Sequence, residues 1–479
     1  MTASDPHQKR LTKIVCTIGP SCFTPDQLED LVKSGMNVAR FNLTHASAEK
    51  QLPVINALKK IRKQYPMGVG ILLDIRCAQV RTGIVEKAIV IAKNQEVYFG
   101  VEKLRKVVPA KCTFISVDYS AFGKDVRTTK VLLIDNGELS FDILSISPDG
   151  LVRARARQQG SIGSRRHINM PGADISLPTF TDIDWEDIKC AVRENVDFLA
   201  ISFVRCAKDI EEVRKYLDLQ KSMIRIVAKI ETRQAVENLP AIIGASDAVM
   251  VARGDLGAEI PFEEVPVIQD RIVAQCRETG KPVIVATHML ESMIEHPLPT
   301  RAEATDVAHA ATIRTDATML SGETASGRHP LVALDAMDRI LRATEGHLRS
   351  LDTREAIEAS SDAEARAEAA VSLAYSLNAS AIVVMTKSGQ SAQAVSKFRP
   401  MIPVIAITDS EAAWYQLSLH YGISSLWCSF EGELEDSVVR GIKAAVDAGL
   451  LQKGKGIVLV TGTEITGGSV ISVQAREVR

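Results

Sequence analysis

The 479-residue sequence lacks several features that would narrow its class directly. Its eight cysteines are scattered without a CxxC pair, which argues against a zinc site or a disulfide framework and favours reduced thiols. Its net charge is only −2, so no broad attraction to nucleic acid or to a membrane is expected. No apolar run approaches the roughly 18 residues of a membrane span, and the N-terminus lacks the apolar core of a signal peptide. These absences together indicate a globular protein of the cytoplasm.

What the sequence does contain is a repeated alternation of short apolar runs and helical patterns. Three such units occupy residues 13–83, and five more apolar runs follow over residues 173–345. Alternating strands and helices predict a parallel sheet, and eight units predict an α/β fold of the (β/α)₈ TIM-barrel type. Residues 1–12 are polar and are expected to form a flexible segment.

Two further segments depart from the barrel pattern. Residues 84–172 contain short β runs broken by turns, with no long helical pattern, and they predict an inserted, β-rich, β-barrel-like lid domain. Residues 346–479 begin with a charged linker and return to apolar runs and helices, which predicts a C-terminal open α/β domain. The barrel would therefore be interrupted by the lid and followed by a third domain.

Chemistry is expected at the carboxyl ends of the barrel strands, where TIM-barrel enzymes place their active sites. The run IVAKIE ends in Lys229 and Glu231, and the run VMVARGD ends in Arg253 and Asp255. One carboxylate after a strand is ordinarily a turn or a helix cap, but two from adjacent strands can hold one Mg²⁺. Lys229 is a point charge suited to a migrating phosphoryl group or an enolate oxygen. Polar residues also end the other strands: Arg40, Asn42 and Thr44; Asp74; Ser202; Thr287 and His288; Ser321, Gly322 and Glu323.

Several motifs resemble those of the pyruvate kinase family over essentially the whole chain. They are TKIVCTIGPS (12–21), SGMNVARFN (34–42), KIE (229–231), MVARGDLGAEIP (250–261), GKPVIVATHMLESM (280–293), PTRAEATDVA (299–308) and MLSGET (319–324). The resemblance implies a barrel, a lid and a C domain, usually assembled as a homotetramer. It also implies the glycolytic reaction in which phosphoenolpyruvate and ADP give pyruvate and ATP through a Mg²⁺-bound enolpyruvate intermediate.

The resemblance implies roles for individual residues. Glu231 and Asp255 would bind Mg²⁺, or Mn²⁺ in its place, and Lys229 would act on the transferring phosphoryl group. The remaining substrate positions would be Arg40 for the phosphoryl charge, the backbone N–H groups of Gly254 and Asp255 for the substrate carboxylate, and Thr287 for protonation of the enolate.

Three further sets of positions match the family's binding sites. The nucleotide-binding set is His45, Arg81 and Arg166. The potassium-ligand set is Asn42, Thr44, Asp74 and Ile75. The loop TKSGQS resembles the one that binds a sugar-phosphate effector, and its residues are Thr386, Lys387, Ser388, Gly389 and Ser391. For that loop an ordinary strand-to-helix connection is an equally good interpretation.

Two other functions stay open at this point. A Mg²⁺-dependent lyase or synthase that forms a pyruvate enolate would use a similar carboxylate pair, but it would need neither Lys229 nor a nucleotide-closing lid. A weakly active regulatory sibling is favoured only by the segment DIRCAQVRTG (74–83), where the family has DTKGPEIRTG. In this segment Ile75 replaces a threonine, Gln79 replaces an acidic residue, and Cys77 replaces a glycine.

These replacements predict a reaction rate that is insensitive to potassium, because Ile75 offers no hydroxyl and Gln79 offers no negative charge. Initial rates of pyruvate formation from phosphoenolpyruvate, ADP and Mg²⁺ should be equal in KCl and in a matched tetramethylammonium salt. A large activation by KCl would contradict this prediction and would mean that Asn42, Thr44, Asp74 and the Ile75 carbonyl suffice to bind the ion.

Overall fold

A computed structural model of the protein describes residues 10–44, 46–173, 175–351, 357–465 and 468–479. The chain opens with the first three strand–helix units of the barrel. Their strands and helices are β1 (Lys13–Thr17), α1 (Pro25–Lys33), β2 (Val38–Asn42), α2 (Ala48–Arg62) and β3 (Gly70–Ile75). Helix α1 begins after Thr24, a capping residue whose side chain accepts the N–H of Gln27.

The expectation that residues 1–12 are flexible is wrong for the last residues of that segment. Leu11 and Thr12 donate their backbone N–H groups to the carboxylate of Glu345, each over 2.8 Å. Glu345 lies near the end of the last barrel helix and is almost completely buried. These bonds therefore fix the residues before β1 against that helix. Residues 1–9 lie outside the described part of the chain.

The lid domain is inserted after β3 and is built mainly of strands. Its elements are β4 (Ile89–Ile91), β5 (Glu96–Gly100), β6 (Thr113–Ser116), α3 (Phe122–Asp125), β7 (Val131–Ile134), β8 (Leu139–Ile146), β9 (Val152–Ala156), β10 (Gly160–Ile162) and β11 (Ile168–Asn169). Six of these described strands form a sheet in the order β11-β7-β8-β9-β5-β6, and β10 pairs with β4. The lid has its own core, in which the rings of Phe99 and Phe141 meet edge to face.

The chain then returns to complete the barrel. The elements are α4 (Asp182–Arg193), β12 (Phe198–Ile201), α5 (Ala207–Leu219), β13 (Arg225–Ile230), α6 (Arg233–Glu237), α7 (Leu239–Ala245), β14 (Ala248–Ala252), α8 (Arg253–Glu259), α9 (Val265–Glu278), β15 (Val283–Ala286), α10 (Arg301–Thr312), β16 (Ala317–Leu320), α11 (Gly322–Ala325) and α12 (Pro330–Ser350). Eight of the described strands close in the order β1-β16-β15-β14-β13-β12-β3-β2. They pair in parallel, which confirms the predicted (β/α)₈ barrel.

The C-terminal domain is the predicted open α/β unit. Its elements are α13 (Asp362–Ser376), β17 (Ala381–Met385), α14 (Gln390–Lys397), β18 (Val404–Thr408), α15 (Glu411–Gln416), β19 (Ile423–Trp427), α16 (Leu434–Asp447), β20 (Gly456–Ile465) and β21 (Gly468–Glu477). The sheet order among these described strands is β19-β18-β17-β20-β21, with only β21 antiparallel to its neighbour. No helix in the described part of the chain is both long and apolar enough to cross a bilayer.

The C-terminal domain packs beneath the barrel, at the amino ends of its strands, around a buried ion pair. Asp316 precedes β16, and its two carboxylate oxygens accept hydrogen bonds from the guanidinium of Arg399 over 2.6 and 2.5 Å. Both side chains are about 2% exposed. Asp316 also accepts the backbone N–H groups of Tyr421 and Val283, so one carboxylate joins the two domains.

Asp316→Asn should destabilise the protein strongly, because it leaves the Arg399 guanidinium buried without a counter-charge. Removing one partner of a buried pair ordinarily costs about 3–5 kcal/mol, so thermal unfolding should occur at a clearly lower temperature. Glu435→Gln is the control, since it removes a surface pair in which the Glu435 side chain is 60% exposed and should cost about 1 kcal/mol or less. Equal unfolding temperatures for the two variants would contradict this assignment.

Candidate active site

The predicted site residues follow their strands and meet at one end of the barrel. Arg40 lies in β2, Asp74 and Ile75 end β3, Lys229 lies in β13, and Glu231 follows that strand. The other residues occupy the corresponding places on their own strands: Ser202 after β12, Gly254 and Asp255 at the start of α8 after β14, and Thr287 after β15. This end of the barrel is therefore lined by cations, carboxylates and hydroxyls.

Lys229 is the centre of a buried polar network. Its Nζ lies 2.7 Å from Ser202 Oγ, 3.1 Å from Asp74 Oδ1 and 3.0 Å from Glu231 Oε1. Burial by itself lowers the pKa of Lys229, but the carboxylates of Asp74 and Glu231 outweigh it and raise the pKa above its ordinary value. Lys229 therefore stays a charged ammonium group at neutral pH, although it is 7% exposed.

Arg40 shares the carboxylate of Asp74 with Lys229. Its Nε and Nη2 lie 2.8 and 2.7 Å from Asp74 Oδ2, and its Nη1 donates to Thr17 Oγ1 over 2.9 Å. Burial opposes ionisation of Asp74, but Lys229 and Arg40 more than offset it and lower its pKa. Asp74 is thus an ionised carboxylate that holds two cations in fixed positions.

Glu231 is fully buried and incompletely satisfied. Its Oε2 accepts the backbone N–H of Phe203 over 2.7 Å. Its Oε1 is at ion-pair distance from Lys229 but accepts no well-directed hydrogen bond from the described residues. Burial raises the pKa of Glu231 to about 7, Lys229 acts in the opposite direction, and the nearby charge of Asp255 adds to the rise.

Glu231 and Asp255 fit the oxygen ligands that Mg²⁺ prefers. In the described part of the chain, no cluster of three or more His, Cys, Asp or Glu side chains is placed to hold a metal. A pair of carboxylates nevertheless suits Mg²⁺, which commonly takes one or two protein carboxylates and completes its shell with substrate phosphate and water. The buried, unsatisfied Oε1 of Glu231 is the observation that favours a cation at this position.

Thr287 is held beside Gly254 in an unusual backbone conformation. Its φ is 68°, which β-branched residues rarely adopt and which is often found at functional sites. Its Oγ1 accepts the Gly254 N–H over 2.7 Å. Arg253 points away from the site and donates hydrogen bonds to Asp306 and to the Thr287 carbonyl. The second of these bonds holds the backbone of Thr287 in place.

The lid lies over this end of the barrel; one predicted nucleotide residue, Arg166, belongs to it, and another, Arg81, lies in the segment that leads into it. Asn169 in β11 donates from Nδ2 to Glu259 Oε1 of α8 over 3.1 Å. Arg81 donates to the Arg165 carbonyl over 2.8 Å, and Arg166 forms a 3.1 Å ion pair with lid residue Asp135. The two predicted arginines are therefore neighbours, whereas His45 lies outside the described residues.

The predicted potassium positions are close together but already have partners. Asn42 in β2 pairs in register with Asp74 in β3, and its Oδ1 accepts the N–H of Thr44 over 3.1 Å. The carboxylate of Asp74 is used by the two cations described above. The Ile75 carbonyl accepts the Ser202 hydroxyl over 2.7 Å.

The predicted effector loop lies far from this cluster, at the opposite end of the barrel. Thr386 Oγ1 accepts the N–H of Gly389 over 3.0 Å, and Gly389 has a φ of 85°, which gives the sharp turn into α14. Lys387 and Ser388 are exposed, and Ser391 lies in the first turn of α14. The loop faces the barrel floor across a cavity of about 210 Å³.

Two partners of the network had no role assigned from sequence. Ser202 bridges Lys229 and the Ile75 carbonyl, and Thr17 supports Arg40. Each of them lies at the carboxyl end of a barrel strand, and this position is the only feature of the sequence that places them near the site. Their partners lie in other strands, and strand position alone does not identify them.

Comparison with known proteins agrees with this geometry. The family model described as "Pyruvate kinase, barrel domain" matches residues 9–334, and "Pyruvate kinase, alpha/beta domain" matches residues 364–472. A crystal structure of a pyruvate kinase from Cryptosporidium parvum superposes with a TM-score of 0.89 at 32% identity. That comparison covers 100% of this chain and 98% of the other.

Proteins of known sequence give the same result. Plastidial pyruvate kinase 3 of Arabidopsis thaliana is 40% identical over 455 residues, which is 94% of this chain and 79% of that protein. The pyruvate kinase of Sporosarcina psychrophila is 37% identical over 462 residues, covering 95% of this chain and 78% of the other. The chain therefore belongs to the pyruvate kinase family of phosphotransferase enzymes.

Proposed function

We propose that the enzyme transfers the phosphoryl group of phosphoenolpyruvate to ADP at the carboxyl ends of the barrel strands. The observation that carries this proposal is the network in which Asp74 fixes Arg40 and Lys229 beside the buried Glu231. Phosphoryl transfer needs little covalent chemistry from the protein, and positioned charge supplies most of the catalysis.

In this reaction the bond from phosphorus to the enol oxygen of phosphoenolpyruvate breaks, and a bond from phosphorus to a terminal oxygen of ADP forms. Arg40 and Lys229 would stabilise the negative charge on the transferring oxygens, and they need no rearrangement because Asp74 already orients both. The enolate that remains takes up a proton at carbon to give pyruvate. Thr287 supplies the hydroxyl group beside this carbon.

The substrate carboxylate would bind at the start of α8. The backbone N–H groups of Gly254 and Asp255 lie in its first turn, where the N–H groups of a helix point out of its end and favour an anion. The Gly254 N–H now meets Thr287 Oγ1 over 2.7 Å. A carboxylate bound there would stand next to the hydroxyl group assigned to protonation.

Two carboxylates and the lid complete the site. Mg²⁺, or Mn²⁺, held by Glu231 and Asp255 would supply positive charge beside the transferring group. Arg166 of the lid, together with Arg81 and His45, would contact the nucleotide phosphates. Potassium is not required in this proposal, because the carboxylate of Asp74 is already bound to two side-chain cations.

Four expectations from the family resemblance are retained as proposals. Residues 84–172 act as the lid that closes on the nucleotide, and residues 346–479 form the effector domain. The exposed residues Lys387 and Ser388, together with backbone groups of residues 386–391, would bind a sugar phosphate. The enzyme would assemble as a homotetramer.

Lys229→Met tests the catalytic assignment. It should lower kcat by several orders of magnitude and leave KM for phosphoenolpyruvate nearly unchanged, because the ammonium group acts on the transition state. Lys281→Met is the control, since Lys281 donates to Ser246 at the opposite end of the barrel. Rates are followed as pyruvate and ATP formation with Mg²⁺. A variant that kept half of the wild-type rate would refute the role of Lys229, and an inactive wild-type protein would refute the reaction.

The pH dependence of metal binding tests Glu231. Because burial raises its pKa to about 7, a metal must displace a proton from it at lower pH. The affinity for Mn²⁺ should rise with pH by up to about tenfold per unit below about pH 7 and level off above it. Titrations followed by water-proton relaxation measure this affinity. Glu231→Gln should weaken binding and flatten the profile, whereas Glu237→Gln should do neither. A flat wild-type profile would contradict the assignment.

A further inference from the structure

Two crossings of the polypeptide join the lid to the barrel, and they run side by side. The outgoing crossing leaves β3 through Cys77 and Ala78, and the returning one passes through residues 175–179. The Ala78 N–H donates to the Thr179 carbonyl over 3.0 Å. The attachments of these few residues therefore set the angle between the lid and the barrel.

Successive residues of the returning crossing are attached to different domains. Arg205, in the barrel loop after β12, donates from Nη1 to the Ile175 carbonyl over 2.7 Å and from Nη2 to the Leu177 carbonyl over 3.0 Å. Between them, Ser176 donates its N–H to Asp125 Oδ2 over 2.7 Å and its hydroxyl to Oδ1 over 3.1 Å. Asp125 belongs to α3 of the lid, so residues 175–177 form a joint with one anchor on each side.

Both anchors are themselves held in place. The Tyr119 hydroxyl donates to Asp125, which is 5% exposed. Arg205 also donates from Nη2 to Thr179 Oγ1 over 2.8 Å, and its backbone N–H donates to Asp209 over 2.8 Å. The Thr179 hydroxyl in turn donates to Asp209 over 2.6 Å. Neither anchor can turn without breaking charged hydrogen bonds.

Arg205, the anchor on the barrel side, is connected to the catalytic cluster through Phe203. Phe203, two residues before Arg205, donates its N–H to Glu231, and its ring meets the lid residue His167 at 5.3 Å. A cavity of about 200 Å³ lies behind the joint, lined by Ile175, Leu177 and Arg205 among others. Ile175 and Leu177 therefore border an open space on this side of the joint and not a close-packed interior.

We propose that Arg205 and Asp125 are the positioning residues that set the lid angle, with residues 175–177 as the joint between them. The inference rests on the proposed function, because the lid acts by bringing Arg166, and Arg81 bonded to it through the Arg165 carbonyl, to the nucleotide. Neither anchor touches a substrate. Loss of either should impair the use of ADP and spare phosphoenolpyruvate, whose binding residues all lie on the barrel.

The test compares Arg205→Lys and Asp125→Asn with the wild-type enzyme. Lysine keeps the charge, but its single ammonium group cannot contact two carbonyls and a hydroxyl group at once, as the planar guanidinium of Arg205 does. KM for ADP should rise at least about tenfold, and KM for phosphoenolpyruvate should stay within about twofold. In hydrogen exchange, the Ser176 amide should exchange at least about tenfold faster in Asp125→Asn. Arg214→Lys, whose side chain pairs with Asp247 at the other end of the barrel, is the control and should change neither KM.

The outcomes separate a positioning role from a structural one. Equal losses for both substrates together with a lower unfolding temperature would overturn the proposal, and so would an unchanged KM for ADP in both variants. If Arg205→Lys does not fold, Asp125→Asn decides alone. An inactive wild-type protein would refute the proposed function instead, and hydrogen exchange at Ser176 would still test the joint.

Discussion

A carboxylate buried away from water must be neutralised where it stands, and the arrangement of the active site follows from this constraint at Asp74. The residue is 1% exposed, and an isolated charge at that depth would be prohibitively unstable. Arg40 and Lys229 neutralise it from two sides, and Ser202 and Thr17 satisfy donors that these cations still have. The two cations most useful for phosphoryl chemistry are thereby fixed before any substrate binds.

Glu231 takes part in the same balance of charge as Asp74, Arg40 and Lys229. With Glu231 ionised, the two cations and two carboxylates of the network sum to zero. Because burial raises its pKa to about 7, protonation of this one group leaves the network with a net positive charge near neutral pH. The barrel contributes the geometry in which this balance is possible, since parallel strands place their carboxyl ends together. The strained backbone at Thr287, braced by Arg253, belongs to the same rim.

The fold and the residues that form the site could be predicted from the sequence more readily than the hydrogen bonds between those residues. Strand–helix alternation reports on the backbone, and a barrel then brings all strand ends together, so Lys229 and Glu231 could be placed in one site. Asp74 was matched to a potassium ligand, and the structure adds that the same carboxylate binds Arg40 and Lys229, the latter 155 positions away along the chain. Periodicity carries no information about such partners, because they depend on side-chain directions across different strands. For the same reason the buried attachment of residues 11 and 12 was missed.

The two lid crossings have a consequence for the chain as a polymer. The hydrogen bond between Ala78 and Thr179 brings together positions that are about a hundred residues apart in sequence. The entropy lost on closing a loop grows only with the logarithm of its length, and the lid folds around its own core. A whole domain thus interrupts the barrel at an entropic penalty close to that of a short surface loop. The end of β3 and the start of α4 need not move apart to accommodate it.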